Sequence, residues 1–260
     1  MGKMAEIEKE GIYLYCIIRH SGNIEFGPIG IGNRNDSVYA INFKDICAIV
    51  SNSTVMRYEA RRTNLLAHQL VLEEVMKNFS ILPIRFSTIS ESYNQSKIVN
   101  ILEKEYDKFS DLLNKMEGKK ELGLKVMTLE EPFFKYILDR YEDIRSLKER
   151  IASLSLDKAH YQLIRIGEMV EEALINENLK FSNTIIDALS PIAEDVKVND
   201  KYNNYMILNA AFLIKKEKEM EFDQAINTLD GQYGHLLKFK YVGSLPPYNF
   251  VNLIINTQED

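Results

Sequence analysis

Few side chains in this 260-residue chain are placed by their spacing to do chemistry, and each of them also has a structural explanation. The four histidines, His20, His68, His160 and His235, are far apart, and none has a second histidine, a cysteine or a pair of carboxylates at metal-ligand spacing. His68 lies between Leu65 and Leu72 on the apolar side of a helical pattern. There a histidine with its hydrogen bonds satisfied in a core or an interface outweighs a ligand or general base. Cys16 and Cys47 sit inside apolar, strand-like runs with no nearby base, so they read as small core side chains of a protein in a reducing compartment. Gly30-Ile31-Gly32 starts like a dinucleotide loop, but it lacks the third glycine and runs into a strand where a helix is needed. Ser155-Leu156-Asp157-Lys158 matches a Ser-x-x-Lys pattern without its partner motifs. The mixed-sign run Lys215-Lys216-Glu217-Lys218-Glu219 reads as a solvated junction. No Walker sequence and no Gly-x-Ser-x-Gly elbow occurs.

The elements that must position these residues follow from hydrophobic periodicity. Strands are expected at Ile12 to Ile18, Val38 to Ile41 and Ile46 to Val50, with a turn at Asn42 to Asp45. Met56 to Phe79 takes up helical period with Leu65, Leu72, Val75 and Phe79 on one face. Ile81 to Phe86 is a strand in which Pro83 marks an edge or a start, and Ser96 to Met116 is one amphipathic helix stopped at Gly118. Beyond it come a strand at Leu122 to Leu129, a helical stretch from Pro132 to Leu154, and a second from Asp157, a plausible N-cap, to Leu179. Short and long strands at Val196 to Val198 and Tyr205 to Ile214, a helix at Glu217 to Gln232 and a half-exposed strand at Leu236 to Val242 complete the series. The order from Leu122 is the split βαβ arrangement of a ferredoxin-like domain. The fold class is therefore α+β in two domains: an N-terminal domain with a mixed α/β sheet (1–120), a C-terminal ferredoxin-like domain (121–243), and an extended C-terminal tail (244–260) that docks on the chain or on a partner.

Composition narrows the function classes. Hydrophobic residues make up 45% and charged residues 27%, which is globular rather than disordered. With a net charge of −6 and no basic stripe, the chain lacks the electrostatic footprint of a nucleic-acid binder. Met1 to Glu10 is polar and carries no export signal, and the charge-free stretch Tyr241 to Gln258 is broken by Pro246, Pro247 and three asparagines, so no membrane span is expected. The triplets Asn52-Ser53-Thr54 and Asn94-Gln95-Ser96 match the glycosylation pattern, which is inert without secretion. A cytoplasmic location follows as the expectation.

Several short sequences then fall into one order: Tyr13-Leu14-Tyr15, Asp45-Ile46-Cys47-Ala48-Ile49-Val50-Ser51, His68-x-x-x-x-Glu73, Ile81-Leu82-Pro83-Ile84-Arg85-Phe86-Ser87-Thr88, Gly118-x-x-Glu121-x-Gly123-x-Lys125, Asn209-Ala210-Ala211-Phe212-Leu213 and Tyr241-Val242-Gly243-Ser244-Leu245-Pro246-Pro247-Tyr248-Asn249-Phe250-Val251. Across nearly the whole chain this resembles the gas vesicle protein F/L family, most specifically in the Leu-Pro-x-Arg-Phe segment and the Leu-Pro-Pro-Tyr-x-Phe-Val ending. The chain departs from the family pattern at Ser87, where glycine is usual, at Ser244, where proline is frequent, and at Cys16, where glycine is common. The resemblance implies a two-domain α+β accessory protein of gas vesicles, the compartments that give cells buoyancy. It implies association with the major shell protein and other accessory proteins during assembly, residence on the vesicle for the F branch, and neither enzymatic activity nor a cofactor. The partner-binding or structural candidates are His68, Arg85, Phe86, Leu245, Pro246, Pro247, Tyr248 and Phe250.

Two of these carry specific expectations. Arg85, between Ile84 and Phe86 on a strand, points opposite to them and pairs with a carboxylate or with backbone carbonyls where domains or helices meet. In the tail, a strand reading puts Tyr248, Phe250 and Ile254 on one face and Val251, Leu253 and Ile255 on the other, so it must dock, first of all on its own chain, with Tyr248 and Phe250 as anchors. A small-molecule sensor or enzyme would need a pocket of titratable groups that is not visible locally, and an RNA-binding module would need paired strand aromatics beyond Phe239 and Tyr241. The chain is expected to fold without metal or nucleotide. Thermal melting before and after chelation should superimpose, whereas stoichiometric metal lost together with the fold would overturn the expectation.

Overall fold

The computed structural model describes residues 11–32, 34–54, 57–90, 93–154 and 156–255, the side chains of 156–158 excepted. The polar segment Met1 to Glu10, expected to carry no export signal, the helix start at Met56, the side chain of the Asp157 cap and the Ser-x-x-Lys pattern lie outside the described residues. Two sheets and seven helices make a mixed α+β fold among the described residues. Two compact units divide the chain, one of residues 11–120 with 245–255 and one of residues 121–244.

The first unit is built on β1 (Gly11–Arg19), β2 (Val38–Phe43), β3 (Ile46–Ser53), β4 (Ile81–Pro83) and the short β5 (Ile89–Ser90). Their order is β2-β3-β1-β4, with β5 also on β1, and the pairings are antiparallel. The β1–β3 register shifts by one residue between Leu14 and Cys16. That bulge reverses the alternation of side chains along β1. Tyr13 and Tyr15 before it and Cys16 and Ile18 after it therefore share one core, with Val71, Leu72 and Val75 of α1 (Arg62–Met76). Helices α2 (Gln95–Lys104) and α3 (Tyr106–Met116) pack on the sheet through Ile98, Leu102, Phe109, Leu113 and Met116, which lie outside that core. Covered on both faces, β1 is a continuous buried run from Gly11 to Ile18.

Several elements differ from the sequence expectation, for local reasons. The helix expected at Ser96 to Met116 is two, because Glu105 takes φ −104°, ψ 14°. The break sets Tyr106 against Lys44 and Asp45 of the β2–β3 turn, with its hydroxyl donating to Asp45 Oδ1 at 2.5 Å. β4 stops at Pro83 instead of reaching Phe86: proline offers no ladder donor, and Ser87 turns the chain at φ +64°. Serine there adopts the left-handed conformation that glycine reaches without strain. Ser244, at φ +51°, holds a conformation closed to proline.

The second unit runs β6 (Lys119–Thr128), α4 (Glu130–Arg140), α5 (Glu142–Ala152), α6 (Leu156–Leu189), β7 (Asp195–Val198), β8 (Met206–Lys215), α7 (Glu219–Tyr233) and β9 (Leu237–Leu245). Its sheet has the order β7-β8-β6-β9 around one apolar core containing Leu124, Phe133, Ile185, Leu208, Phe212 and Phe222. The expected single helix from Pro132 to Leu154 is broken at Tyr141, and the next one continues ten residues past Leu179 to Leu189, where Ser190-Pro191 ends it. At 34 residues, α6 is about 50 Å long. Buried Glu177 on α6 fixes the break: it accepts the hydroxyls of Tyr136 (2.8 Å) and Tyr141 (2.9 Å) and pairs with Lys180 (2.7 Å) and Arg140 (3.2 Å). Glu177→Ala leaves both hydroxyls without their acceptor and should cost roughly 2–3 kcal/mol in urea denaturation. Glu177→Gln, which keeps an acceptor for one or both tyrosines, should cost less.

Candidate functional site

Inside the first unit the polar groups converge on His68, which is only 3% exposed on the buried face of α1. Its Nδ1 is 2.9 Å from the Tyr13 hydroxyl and its Nε2 is 2.8 Å from the Tyr248 hydroxyl. The backbone N–H of Ser87 donates to the Tyr13 oxygen at 2.9 Å, and the Tyr248 hydroxyl donates to the Ile84 carbonyl at 3.3 Å. One proton arrangement satisfies all four contacts. Ser87 N–H donates to Tyr13, Tyr13 O–H to Nδ1, Nε2–H to Tyr248, and Tyr248 O–H to Ile84. Each hydroxyl then gives and takes once, and the imidazole is neutral. Desolvation by burial holds the His68 pKa down at about 4, in keeping with the neutral ring. Burial also pushes the Tyr13 and Tyr248 hydroxyls well above the usual phenol range.

The packing around this chain of bonds is aromatic. Tyr15 stacks on His68 with centroids 5.6 Å apart, and Phe86 meets the imidazole edge-on at 5.7 Å. The Tyr15 hydroxyl pairs with Ser51 Oγ at 2.9 Å and accepts the Ile31 N–H at 2.8 Å, which explains the Gly30-Ile31-Gly32 sequence. A Cβ on Gly30 would lie 2.7 Å from the Asp36 carbonyl oxygen, and one on Gly32 2.8 Å from the Tyr58 hydroxyl. These glycines let the loop close over Tyr15.

The candidate residues are brought together unevenly. His68, Phe86 and Tyr248 meet in the network above. Arg85 is exposed, and its Nη2 donates to Asn252 Oδ1 at 3.0 Å, a side-chain amide of the tail in place of the expected carboxylate or carbonyl. Leu245 ends β9, and Pro246 and Pro247 are buried. The tail is no strand: the Pro247 carbonyl accepts from both Phe250 N–H (3.1 Å) and Val251 N–H (2.9 Å), closing a tight turn. Phe250, Val251 and Leu253 are buried and Ile254 is 63% exposed, so the expected two-faced alternation gives way to a compact hook. Leu65, expected in the α1 core stripe, is 42% exposed in the first helical turn.

Sequence reasoning missed Tyr13, Tyr15 and Tyr58 as functional-site residues. Two tyrosines at i and i+2 within an apolar strand were the available sign, since a buried hydroxyl needs a partner from elsewhere in the fold. Cys16 and Cys47 are buried free thiols, both with raised pKa from burial. No group of three or more His, Cys, Asp or Glu side chains among the described residues is placed to hold a metal ion. Phe239 and Tyr241 pack against the core of the second unit, and Tyr241 donates to Asp223 Oδ1 of α7 at 2.6 Å.

Comparison with known proteins places this geometry. Residues 11–252 match the sequence model of the family described as gas vesicle synthesis protein GvpL/GvpF. Gas vesicle protein F of Dolichospermum flosaquae is 27% identical over 211 residues, covering 80% of this chain and 85% of that protein. Gas vesicle protein L1 of Halobacterium salinarum is 23% identical, covering 92% and 90%. The crystal structure of the gas vesicle protein GvpF from Anabaena sp. PCC7120 superimposes with a TM-score of 0.78 at 25% identity, covering 95% of this chain and 100% of that one.

The buried imidazole makes stability depend on pH. An unfolded histidine takes up its proton near pH 6.5, while His68 in the fold resists protonation until about pH 4. The unfolded state therefore binds more protons across this window, and stability falls as pH falls. Full stability is present above about pH 6.5, and about 3 kcal/mol should be lost on reaching pH 4. Urea unfolding of wild type and His68→Gln at a series of pH values measures this; the variant should be less stable at neutral pH and should lack that slope.

Proposed function

Because the chain belongs to the family of gas vesicle synthesis proteins GvpL and GvpF, we propose that it acts by binding other proteins, holding the major shell protein and other accessory proteins during gas vesicle formation in the cytoplasm. The observation that carries this reading is the outer face of α1. Its inner face buries His68, Val71, Leu72 and Val75, yet Leu66 and Leu70, one turn apart on the opposite side, are 57% and 49% exposed. A helix apolar on both faces offers a surface its own fold does not use. A small hydrophobic shell subunit before assembly is a partner that such a surface suits, since shielding its apolar groups suppresses aggregation.

On this reading the hydrogen bonds of His68, Tyr248, Arg85 and Asn252 anchor the tail as part of the N-terminal domain, and the binding surface lies on the other side of the same helix. The C-terminal domain, residues 121–244, is a ferredoxin-like fold. Its element order, a strand, three helices, two strands, a helix and a strand, and its sheet order β7-β8-β6-β9 support that description. The reading assigns no catalytic step. No helix among the described residues is long and apolar enough to cross a membrane.

Leu66→Asp combined with Leu70→Asp tests the proposal. Both positions are exposed, so the melting temperature should change little. Co-purification of the major shell protein with the tagged chain should drop by about tenfold or more. Undiminished co-purification with the double variant would remove α1 as the binding face.

A further inference from the structure

The sheet of the second unit ends at β9, and no strand among the described residues pairs with the outer edge of β9. Two contacts set its alignment on β6. The Leu129 N–H donates to the Leu236 carbonyl at 2.8 Å, and a Cβ on Gly243 would lie 3.6 Å from Leu122 Cδ2. Both fit one antiparallel register, in which Lys240 stands opposite Lys125 and Lys238 opposite Met127. In that ladder Lys238 and Lys240 direct their N–H and C=O groups to β6, while Leu237, Phe239 and Tyr241 turn theirs to the open edge.

The two faces beside this edge differ in charge. Phe239 and Tyr241 pack on the apolar core, so Lys238 and Lys240 stand on the other face, where Lys125 joins them. All three lysines are exposed, and none pairs with a carboxylate among the described residues; Lys125 lies over the Tyr202 ring at 5.0 Å. Like charges directly opposite each other weaken a sheet, so the fold gains nothing from setting Lys125 against Lys240. The other charges of that face are mixed and farther along the sheet: Asp195 and Lys197 on β7, Asp200 and Lys201 in the loop after it, and, at the start of β6, Lys119 and Glu121, which have partners already. On the core side, α7 runs beside β9, with Asp223 Oδ1 accepting the Tyr241 hydroxyl at 2.6 Å. Glu219, Asp223 and Asp230 follow the i, i+4, i+11 spacing of one flank of α7, and the neighbouring Lys218 pairs with Glu221. Burial first, and then the Asp223 and Glu219 carboxylates, hold the Tyr241 hydroxyl above the usual phenol range. The open edge therefore lies between a basic face and an acidic one.

We propose that the open edge of β9 binds an extended segment of a partner protein as an added strand, one whose side chains alternate in charge, with carboxylates at i and i+2 beside Lys238 and Lys240 and a basic residue between them on the α7 side. The outward backbone groups of Leu237, Phe239 and Tyr241 supply the ladder, and the two charged faces set which way the segment turns its side chains and in which register it pairs. A second copy of β9 does not fit, because its lysines would lie opposite these. The same side chains that bar a like edge thus admit an acidic one. The proposal rests on the reading that this chain works by binding proteins, and it uses residues of the second unit, none of them on α1.

The test uses the full chain and a fluorescein-labelled peptide of about ten residues with Val-Lys-Glu-Lys-Glu-Val at its centre. Fluorescence anisotropy should show saturable binding to wild type, weakened about tenfold by Lys238→Glu combined with Lys240→Glu. A peptide with lysine in place of both glutamates should bind that double variant and not wild type. Both positions are exposed, and superimposed melting curves confirm that the variant is folded. In the bound strand the peptide's lysines lie opposite Phe239 and Tyr241, so their N–H groups face β9. N-methylation of those two lysines should abolish binding, whereas N-methylation of the two glutamates should leave it. Equal binding by both methylated peptides would mean a contact of charges without a strand, and overturns the proposal. So does undiminished binding by the folded double variant, or failure of the exchanged peptide to recover it. No binding to wild type, with self-association of Lys238→Thr combined with Lys240→Thr, would mean that the lysines only guard the edge, and overturns it as well. The titration contains no shell protein, so its failure leaves the α1 co-purification result intact, and a failed co-purification leaves the titration intact.

Discussion

A buried imidazole needs two hydrogen-bond partners, and in this chain they come from opposite ends of the sequence. His68 is held between Tyr13 on the first strand and Tyr248 on the tail, and the two tyrosines pass their own bonds on to the backbone of Ser87 and Ile84. Each half-made version of this arrangement leaves a desolvated polar atom unpaired. The tail hook, the turn after β4 and the burial of α1 are therefore fixed together. The left-handed turn at Ser87 belongs to the same set, because it aims the Ser87 N–H at Tyr13 and its hydroxyl at the N–H of Tyr58.

The strand β1 makes this possible with one extra residue. Without the bulge, Tyr13, Tyr15 and Ile17 would share a face, and Cys16 and Ile18 would turn away from α1. The extra residue lets the polar end of the strand deliver two tyrosines and the apolar end deliver Cys16 and Ile18 to one core. The buried loop at Gly30 and Gly32 then closes on Tyr15. The core on this side is thus an aromatic layer stitched by hydroxyls, whereas the core of the second unit is mainly aliphatic and phenylalanine-rich.

Strands with long apolar runs, such as Ile12 to Ile18 and Tyr205 to Ile214, were legible in the sequence because burial on both faces leaves few polar positions, Asn209 being the exception in the second. The helix breaks at Glu105 and Tyr141 were not, since neither carries glycine or proline; tertiary bonds from Tyr106 to Asp45 and from Tyr141 to Glu177 accompany them. Pro191 marked the end of α6, and Phe181, Ile185 and Leu189 keep helical spacing up to it, so the sequence reading, which stopped at Leu179, ended short of a legible boundary. His68 was legible as a satisfied core histidine in type, but its partners were hidden by sequence distance. The tail showed its need to be covered, yet two consecutive prolines before Tyr248 favour a turn over the strand that alternation suggests. Leu65 was misjudged for a different reason: it shares the helix face of Leu72, but it lies in the first turn of α1, where it is left 42% exposed.

The 180 positions between His68 and Tyr248 also order events in time. A ribosome adds about 5–20 residues each second, so the first unit waits on the order of ten seconds or more between making its histidine and making the tyrosine that completes it. During that interval β1 and α1 can form, but the unit's last buried residues, Phe250, Val251 and Leu253, do not yet exist. The second unit, continuous in sequence from 121 to 244, has all its parts before the first has its final one. The N-terminal unit is therefore the last to close, and its closure reports that the chain has been translated through Leu253.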